Sequence, residues 1–100
     1  MRELIVTQDQ FQDFLARAQN GEREAFDHLL GEHRSRLEAW VRRQIGMHLR
    51  SRLDAEDIVQ DTCLRAFESI GRFTSSHDDA FFQWLCTIAR HLIWSASQRR

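Results

Sequence analysis

The chain has 100 residues, of which 42% are hydrophobic and 29% are charged, a balance that suits one small globular domain with a single core. It contains neither an apolar run long enough to cross a membrane nor the apolar segment of a signal peptide, so we expect a cytoplasmic protein without membrane insertion. The net charge of −1 excludes a uniformly basic nucleic-acid-binding protein. Proline is absent, glycine occurs four times and no strand-like alternation is present. We therefore predict an all-α fold, a compact bundle of about four helices.

The charges are grouped in blocks whose total nearly cancels. Residues 1–32 carry −4, residues 33–53 carry +5, residues 54–70 carry −4, and residues 81–100 carry +3 with no acid among them. All fourteen basic residues are arginine, the residue best suited to phosphate contact and base stacking. A codon bias of the genome explains this preference equally well, so the block pattern is the more informative observation.

Two helices are predicted in the first half of the chain. The first covers residues 8–19 and ends at the Asn20-Gly21 pair, a strong stop signal. The second covers residues 22–45, and Gly31 is placed where it would kink or divide it. His33 falls on the apolar stripe of the second helix, where we interpret it as a partly buried, hydrogen-bonded histidine and not as a metal ligand.

A third helix is predicted over residues 55–70, with Asp54 as its N-cap. When it is projected at 100° per residue, one side is apolar and the other is acidic with a single leucine, Leu64. On sequence alone a solvated face is the commoner explanation, although an apolar residue ringed by acids is also typical of a protein interface. The polar side consists of Asp54, Asp57, Gln60, Asp61, Leu64, Arg65 and Glu68.

A loop over residues 72–79 leads into a fourth predicted helix, residues 80–98, with Asp78 or Asp79 as its N-cap. Two tryptophans lie on the polar side of this helix, away from any acid, where they are suited to stacking on unpaired bases. Trp84 fits a place in the core equally well, whereas Trp94 favours nucleic acid. The polar side consists of Gln83, Trp84, Thr87, Arg90, His91, Trp94 and Gln98.

Three segments of the chain resemble region 2 of bacterial sigma factors of the sigma-70 family, most closely the extracytoplasmic-function (ECF) group. DAEDIVQDTCLRA is similar to the family form DAEDLVQETFLRA, and FFQWLCTIARHLIWS is similar to FRAWLYRIARNLAID. Upstream of both, GEREAFDHLLGEHRSRLEAWVRR is similar to GDREAFEELYRRYRPRLLRYARR. The resemblance covers residues 20–90, and the motifs occur in the family's order and at its spacing.

The resemblance implies two sets of binding residues. In the family, the acidic helix docks on the coiled coil of the β′ subunit of core RNA polymerase, and the following loop and helix hold the non-template strand of the promoter minus-ten element. The positions that match the polymerase contact are Asp57, Gln60, Asp61, Leu64 and Arg65. The positions that match the DNA contact are Arg72, Ser76, His77, Trp84, Thr87, Arg90, His91 and Trp94.

Some positions depart from the family pattern. Cys63 stands where a bulky residue is usual, and His91, Trp94 and Ser95 replace the usual Asn, a smaller aliphatic residue and Asp, so promoter preference is expected to differ from that of familiar members. An anti-sigma factor is a further partner class that the resemblance suggests. Residues 1–100 are expected to be one region-2 domain, and the second DNA-binding domain of the family, region 4, is not present in this chain.

Catalysis is not expected, because phosphate-binding glycine loops, nucleophile elbows and HExxH motifs are missing. Neither the two cysteines nor the five histidines have metal-ligand spacing, so no metal and no cofactor are predicted. The main alternative function is a helical protein-interaction module that never contacts DNA. That module would use the acidic helix for a partner and would bury both tryptophans.

Overall fold

The computed structural model describes residues 8–46, 53–74 and 77–98, and all regular structure in these segments is helical. This confirms the predicted all-α fold class. No described helix is long and apolar enough to cross a membrane. The elements are, in chain order, α1 (Gln8–Gln19), α2 (Arg23–Gly31), α3 (Arg34–Gly46), α4 (Ala55–Ser69), a single 3-10 turn (Ile70–Arg72) and α5 (Asp78–Gln98).

The turn between α1 and α2 depends on a glycine. Gly21 has φ +93°, a backbone conformation that costs other residues more because of their Cβ atom. The N–H of Glu22 donates to the carbonyl of Arg17 (3.0 Å) and that of Gly21 donates to the carbonyl of Ala18 (2.9 Å), which is the bond pair of a Schellman motif. The predicted stop at Asn20-Gly21 is therefore confirmed.

The second predicted helix is divided in two, so the bundle has five helices where about four were expected. The division follows Gly31, at Glu32 and His33, whose backbone N–H groups bond to the carbonyls of Leu29 and Leu30 in a tighter, 3-10-like pattern. The change of direction lets α2 pack mainly on α1, while α3 packs on α4 and α5. One straight helix would not reach both sets of neighbours.

The predicted N-cap of α4 is confirmed, whereas the predicted end of α4 and the predicted N-cap of α5 are wrong. Asp54 caps α4, because its Oδ1 accepts a hydrogen bond from the N–H of Glu56 (2.9 Å). The helix gives way to the 3-10 turn at Ile70, which was predicted to be its last residue. Asp78 and Asp79 lie in the first turn of α5 instead of capping it, where their negative charge still suits the helix dipole.

The core is centred on Phe81 of α5, which is fully buried. Its ring lies 5.8 Å from that of Phe11 on α1, 5.6 Å from Phe73 after the 3-10 turn, 5.8 Å from Trp84, and 5.6 Å from His33 in the turn just before α3. Edge-on and tilted ring pairs at these distances are favourable beyond the area they bury. We call these five residues the aromatic cluster, and it joins three helices to the chain that enters α5.

Candidate functional site

The exposed side of α4 is acidic and has an apolar side chain within it. We call Asp57, Gln60, Asp61, Leu64 and Arg65 the acidic face, and all five side chains are exposed. Leu64 is 47% exposed, with Gln60 one turn before it and Asp61 three residues before it. No member of the face forms a side-chain hydrogen bond or ion pair with another described residue. Within the described residues, the polar groups of this face therefore have no side-chain partner.

The opposite side of α4 fixes the direction in which the acidic face points. Its fully buried Thr62 donates a hydrogen bond to the carbonyl of Ile58 (2.7 Å), so no polar group is left unpaired there. Cys63 and Phe67, which lie on the apolar side of the projected helix, are only half-buried. Burial raises the pKa of the Cys63 thiol, and Arg34, which donates to its Sγ at 3.5 Å, opposes that rise.

The exposed side of α5 carries polar, basic and aromatic groups. We call Thr87, Arg90, His91 and Trp94 the tryptophan face, and all four are exposed. Trp94 is 62% exposed, an unusual position for so large an apolar side chain. The hydroxyl of Thr87 donates to the carbonyl of Gln83 (3.0 Å), so its oxygen can still accept a hydrogen bond from a partner but has no proton to offer.

The structure separates the two tryptophans that the sequence had grouped on one side of the helix. Trp84 is half-buried and its ring lies 5.1 Å from that of Phe73 and 5.8 Å from that of Phe81. It belongs to the aromatic cluster and keeps part of its surface accessible. The partial burial of Trp84 agrees with a place in the core, its possible contact with nucleic acid stays a prediction, and Trp94 stands clear of the core.

Polar side chains from other helices hold the start of the loop before α5. The amide of Gln19, at the end of α1, donates to the carbonyls of Ile70 (3.0 Å) and Phe73 (2.8 Å). These bonds satisfy two carbonyls where regular helix has stopped. Arg72, a predicted DNA contact, is exposed between them.

The far end of the loop is held by His33. Its Nε2 lies 2.7 Å from Oδ1 of Asp78, the first residue of α5. His33 is 5% exposed, which confirms the predicted buried, hydrogen-bonded histidine, although its partner was not foreseen. His77 beside it is exposed, and Ser76, another predicted DNA contact, lies outside the described residues.

The two faces meet at an open groove between α4 and α5 with a volume of about 350 Å³. Arg65 of the acidic face and His91 of the tryptophan face both line it, together with Glu68, Ser69, Ile88, Leu92 and Ser95. Across the described segments, no three His, Cys, Asp or Glu side chains are grouped so that they could hold a metal ion.

Comparison with known proteins shows the family. The model of the Sigma-70 region 2 family matches residues 29–100. The chain belongs to the sigma-70 region 2 family. The match begins near the end of α2, so α1 lies outside it. A sigma-factor domain is not an enzyme, which agrees with the prediction that the chain has no catalytic residues.

The curated relatives include three sigma factors. The ECF RNA polymerase sigma factor BldN of Streptomyces coelicolor is 36% identical over 81 residues, which cover 81% of this chain and 29% of BldN. The RNA polymerase sigma-H factor of Pseudomonas aeruginosa is 29% identical, with 85% and 41% covered. The ECF RNA polymerase sigma-E factor of Haemophilus influenzae is 31% identical, with 78% and 38% covered. No solved structure matches the chain.

The chain spans between 29% and 41% of the length of these relatives. The region-2 assignment is thus confirmed at the level of the domain. The assignments of single residues to polymerase or to DNA stay predictions.

Proposed function

We propose that this region-2 domain works in the cytoplasm as part of an ECF-type sigma factor. The acidic face binds core RNA polymerase through the β′ coiled coil. The tryptophan face, with the loop before α5, recognises the promoter minus-ten element and helps to open it. An anti-sigma factor is a further partner that binds the acidic face and the tryptophan face.

One observation carries the proposal. Among the described residues, the large hydrophobic side chains that are exposed are Leu64 and Trp94. Each lies within one of the two faces that the family resemblance assigns to a partner, and the rest of the large apolar side chains are at least partly buried. Exposed apolar side chains within polar surroundings are the usual centres of interfaces.

Binding to polymerase follows from the chemistry of the acidic face. Asp57 and Asp61 supply negative charge to steer a basic partner surface, and Leu64 supplies the apolar contact that is desolvated in the complex. Gln60 can donate and accept hydrogen bonds at the rim. Truncation of a central interface residue of this kind commonly costs about 2 kcal/mol or more.

Promoter opening follows from the chemistry of the tryptophan face. Flipping a base out of the duplex costs a few kcal/mol, and stacking of that base on Trp94 returns about 1–3 kcal/mol. Arg90 and Arg72 neutralise backbone phosphates of the freed strand. Capture of the open strand then shifts the equilibrium toward melting without any covalent step.

Base recognition is assigned to Thr87 and His91. Because the proton of the Thr87 hydroxyl is held by Gln83, Thr87 accepts from an amino group of adenine or cytosine. The imidazole of His91 has a donor and an acceptor nitrogen, so it can contact either kind of base edge at the fork between duplex and open strand.

The alternative of a protein-interaction module without DNA binding required both tryptophans to be buried. The exposure of Trp94 argues against it. The half-buried Trp84 fits both functions and does not discriminate between them.

The test uses the full-length factor with core polymerase from the source organism and one variant for each face. Leu64→Ala should weaken capture of core enzyme by about 2 kcal/mol, roughly thirtyfold, while promoter opening at saturating factor stays normal. Trp94→Ala should leave capture unchanged and reduce permanganate reactivity of the minus-ten element. Gln12→Ala, an exposed residue of α1, is the control and should change neither quantity.

The proposal is wrong if the two variants do not separate. Equal capture of core by wild type and Leu64→Ala would remove the polymerase assignment. Normal promoter opening by Trp94→Ala and by Arg90→Ala would make the tryptophan face a structural surface.

A further inference from the structure

Two arginines at the contact between α3 and α5 lie over aromatic rings. The guanidinium carbon of Arg36 is 3.9 Å from the ring centroid of Phe82, and that of Arg90 is 5.4 Å from the ring centroid of Trp40. Each pair joins one residue of α3 to one of α5. Neither arginine has a carboxylate within ion-pair distance among the described residues.

Three other arginines of the described segments are paired with carboxylates. Arg42, on the same helix as Arg36, has its Nη2 2.7 Å from a carboxylate oxygen of Glu38. Arg17 and Arg23 also lie over rings, but each is paired with carboxylates at 3.0–3.5 Å. Arg36 and Arg90 differ from these arginines, because each packs on a ring and has no described carboxylate beside it. Their positive charges are therefore available to an anionic partner.

The two guanidinium groups flank one strip of α5. Phe82, Cys86 and Arg90 follow each other at intervals of four residues, so they share the edge of α5 that faces α3. Burial raises the pKa of the Cys86 thiol, and both Arg90 and Arg36 oppose that rise.

An arginine that rests its flat face on a ring still has its N–H groups directed outward in the plane of the guanidinium. This fork matches two oxygens of a phosphate group. Fixing the side chain on the ring also reduces the entropy lost when it binds.

The other edge of α5 has a different charge. It borders the groove, in which the charges of Glu68 and Arg65 offset each other, and beyond the groove lie Asp57 and Asp61. A polyanion on α5 is therefore favoured more strongly at the α3 edge than at the α4 edge. Between the two edges lie Thr87 and Trp94.

We propose that Arg36 and Arg90 together form a binding site for backbone phosphates of single-stranded DNA, and that the bases of the same strand lie toward Thr87 and Trp94. This inference rests on the proposed function and adds a residue of α3, Arg36, to the DNA surface. It also fixes how the bound strand is oriented across α5. The phosphates lie toward α3, and the bases lie toward the middle of the exposed face.

The test measures the salt dependence of binding, because each phosphate contact releases condensed counterions. The probe is a fluorescein-labelled, mixed-sequence single-stranded 12-nucleotide DNA, titrated with the 100-residue chain at 50–200 mM NaCl. Arg36→Ala and Arg90→Ala should each reduce the slope of log affinity against log salt by about 0.7, the value for one contact on a single strand. Arg36→Lys should keep the wild-type slope, and thermal unfolding checks that each variant is folded.

Arg42→Ala is the matched control, since it removes an arginine of the same helix that Glu38 already neutralises. It should keep the wild-type slope. A probe with uncharged methylphosphonate linkages should bind wild type and Arg36→Ala equally, because only the phosphate charge distinguishes them.

The outcomes separate this inference from the function on which it rests. A normal slope for Arg36→Ala with a reduced slope for Arg90→Ala would overturn the inference and leave the tryptophan face intact. Unchanged binding by both Arg90→Ala and Trp94→Ala would overturn both. If Arg36→Ala instead weakens capture by core polymerase and binds the probe normally, the arginine serves an acidic protein surface and the inference is wrong.

Discussion

The acidic face and the tryptophan face are neighbours in the fold but are built in different ways. Every group on the acidic face comes from α4, and none of them is held by a side-chain hydrogen bond or ion pair to another described residue. The residues of the tryptophan face also come from one helix, α5, but other parts of the chain position that face and the adjoining loop, because Trp40 of α3 lies under Arg90, and Gln19 and His33 hold the two ends of the loop. The acidic face thus depends on α4 alone, whereas the tryptophan face and its loop depend on contacts between helices.

The difference suits the two tasks that we propose for these faces. A surface that meets a preformed protein needs the right groups on one rigid element, and a helix supplies them. A surface that captures an opened strand must place stacking, phosphate and base-edge groups relative to one another, which requires several elements. The faces should therefore respond differently to changes in the core and in the contacts between helices.

The largest effect should come from the aromatic cluster, because both faces depend on it for folding. Phe81→Ala removes a fully buried ring and should lower the free energy of unfolding by about 3–5 kcal/mol. Chemical denaturation measures this, with Gln83→Ala, an exposed neighbour, as the control. A variant that is stable and has lost DNA binding alone would mean that the cluster belongs to the tryptophan face only.

A charge reversal should separate the faces most clearly. Asp61→Lys should weaken capture by an isolated β′ coiled coil by about 2 kcal/mol and leave helicity unchanged, because the side chain is exposed. Asp9→Lys on α1, also exposed, reverses the same charge elsewhere and should have little effect. Equal losses from both would indicate a general response to net charge instead of a docking surface.

Removal of a loop contact should damage only the composite face. Gln19→Ala deletes the two hydrogen bonds to the carbonyls of Ile70 and Phe73, each worth about 0.5–1.5 kcal/mol. We expect reduced promoter opening in the permanganate assay and normal capture of core polymerase. Gln10→Ala, from the same helix, is a less suitable control than Gln12→Ala, because Gln10 has a contact of its own. Normal opening by Gln19→Ala would show that the loop does not need this contact.

The smallest effect concerns the two cysteines, one beside each face. Burial raises the pKa of both thiols, so in alkaline solution the unfolded chain loses these protons before the folded chain does. Stability should be complete below the ordinary thiol pKa of about 8.5 and should fall as the pH rises from there toward the folded-state values. The chain has no Lys or Tyr side chains, which would otherwise titrate in the same alkaline range.

A double variant, Cys63→Ala with Cys86→Ala, provides the comparison for this experiment. Its free energy of unfolding should change less between pH 8 and pH 10 than that of wild type. The same decline in both proteins would show that the thiols are not its cause.

The sequence predicted the acidic face better than the tryptophan face for a physical reason. Projection of one helix at 100° per residue needs only local periodicity, and it placed Leu64 among exposed polar groups correctly. The same projection grouped Trp84 with Trp94, because it could not show that Phe73 and Phe81 would cover part of Trp84. The separation of these two residues depends on tertiary packing.

The residues that the sequence did not identify share one property. Gln19 and Arg36 act on parts of the chain far from them in sequence, and no local pattern distinguishes either from an ordinary exposed polar side chain. His33 was correctly expected to be buried, yet its partner Asp78 followed from no motif. The division of the second helix was left open because Gly31 alone does not decide it.

The long-range contacts of Gln19 have a consequence for how the chain folds during synthesis. The carbonyls that Gln19 bonds to belong to Ile70 and Phe73, which are 51 and 54 residues later in the chain. The carboxylate that His33 bonds to belongs to Asp78, which is 45 residues later. At about 5–20 residues per second, a ribosome needs several seconds to make those partners. The first helices are therefore translated well before the residues that complete their packing. The exposed surface of α5 and the loop before it should therefore take their final positions only after α5 itself has been made and can pack on the earlier helices.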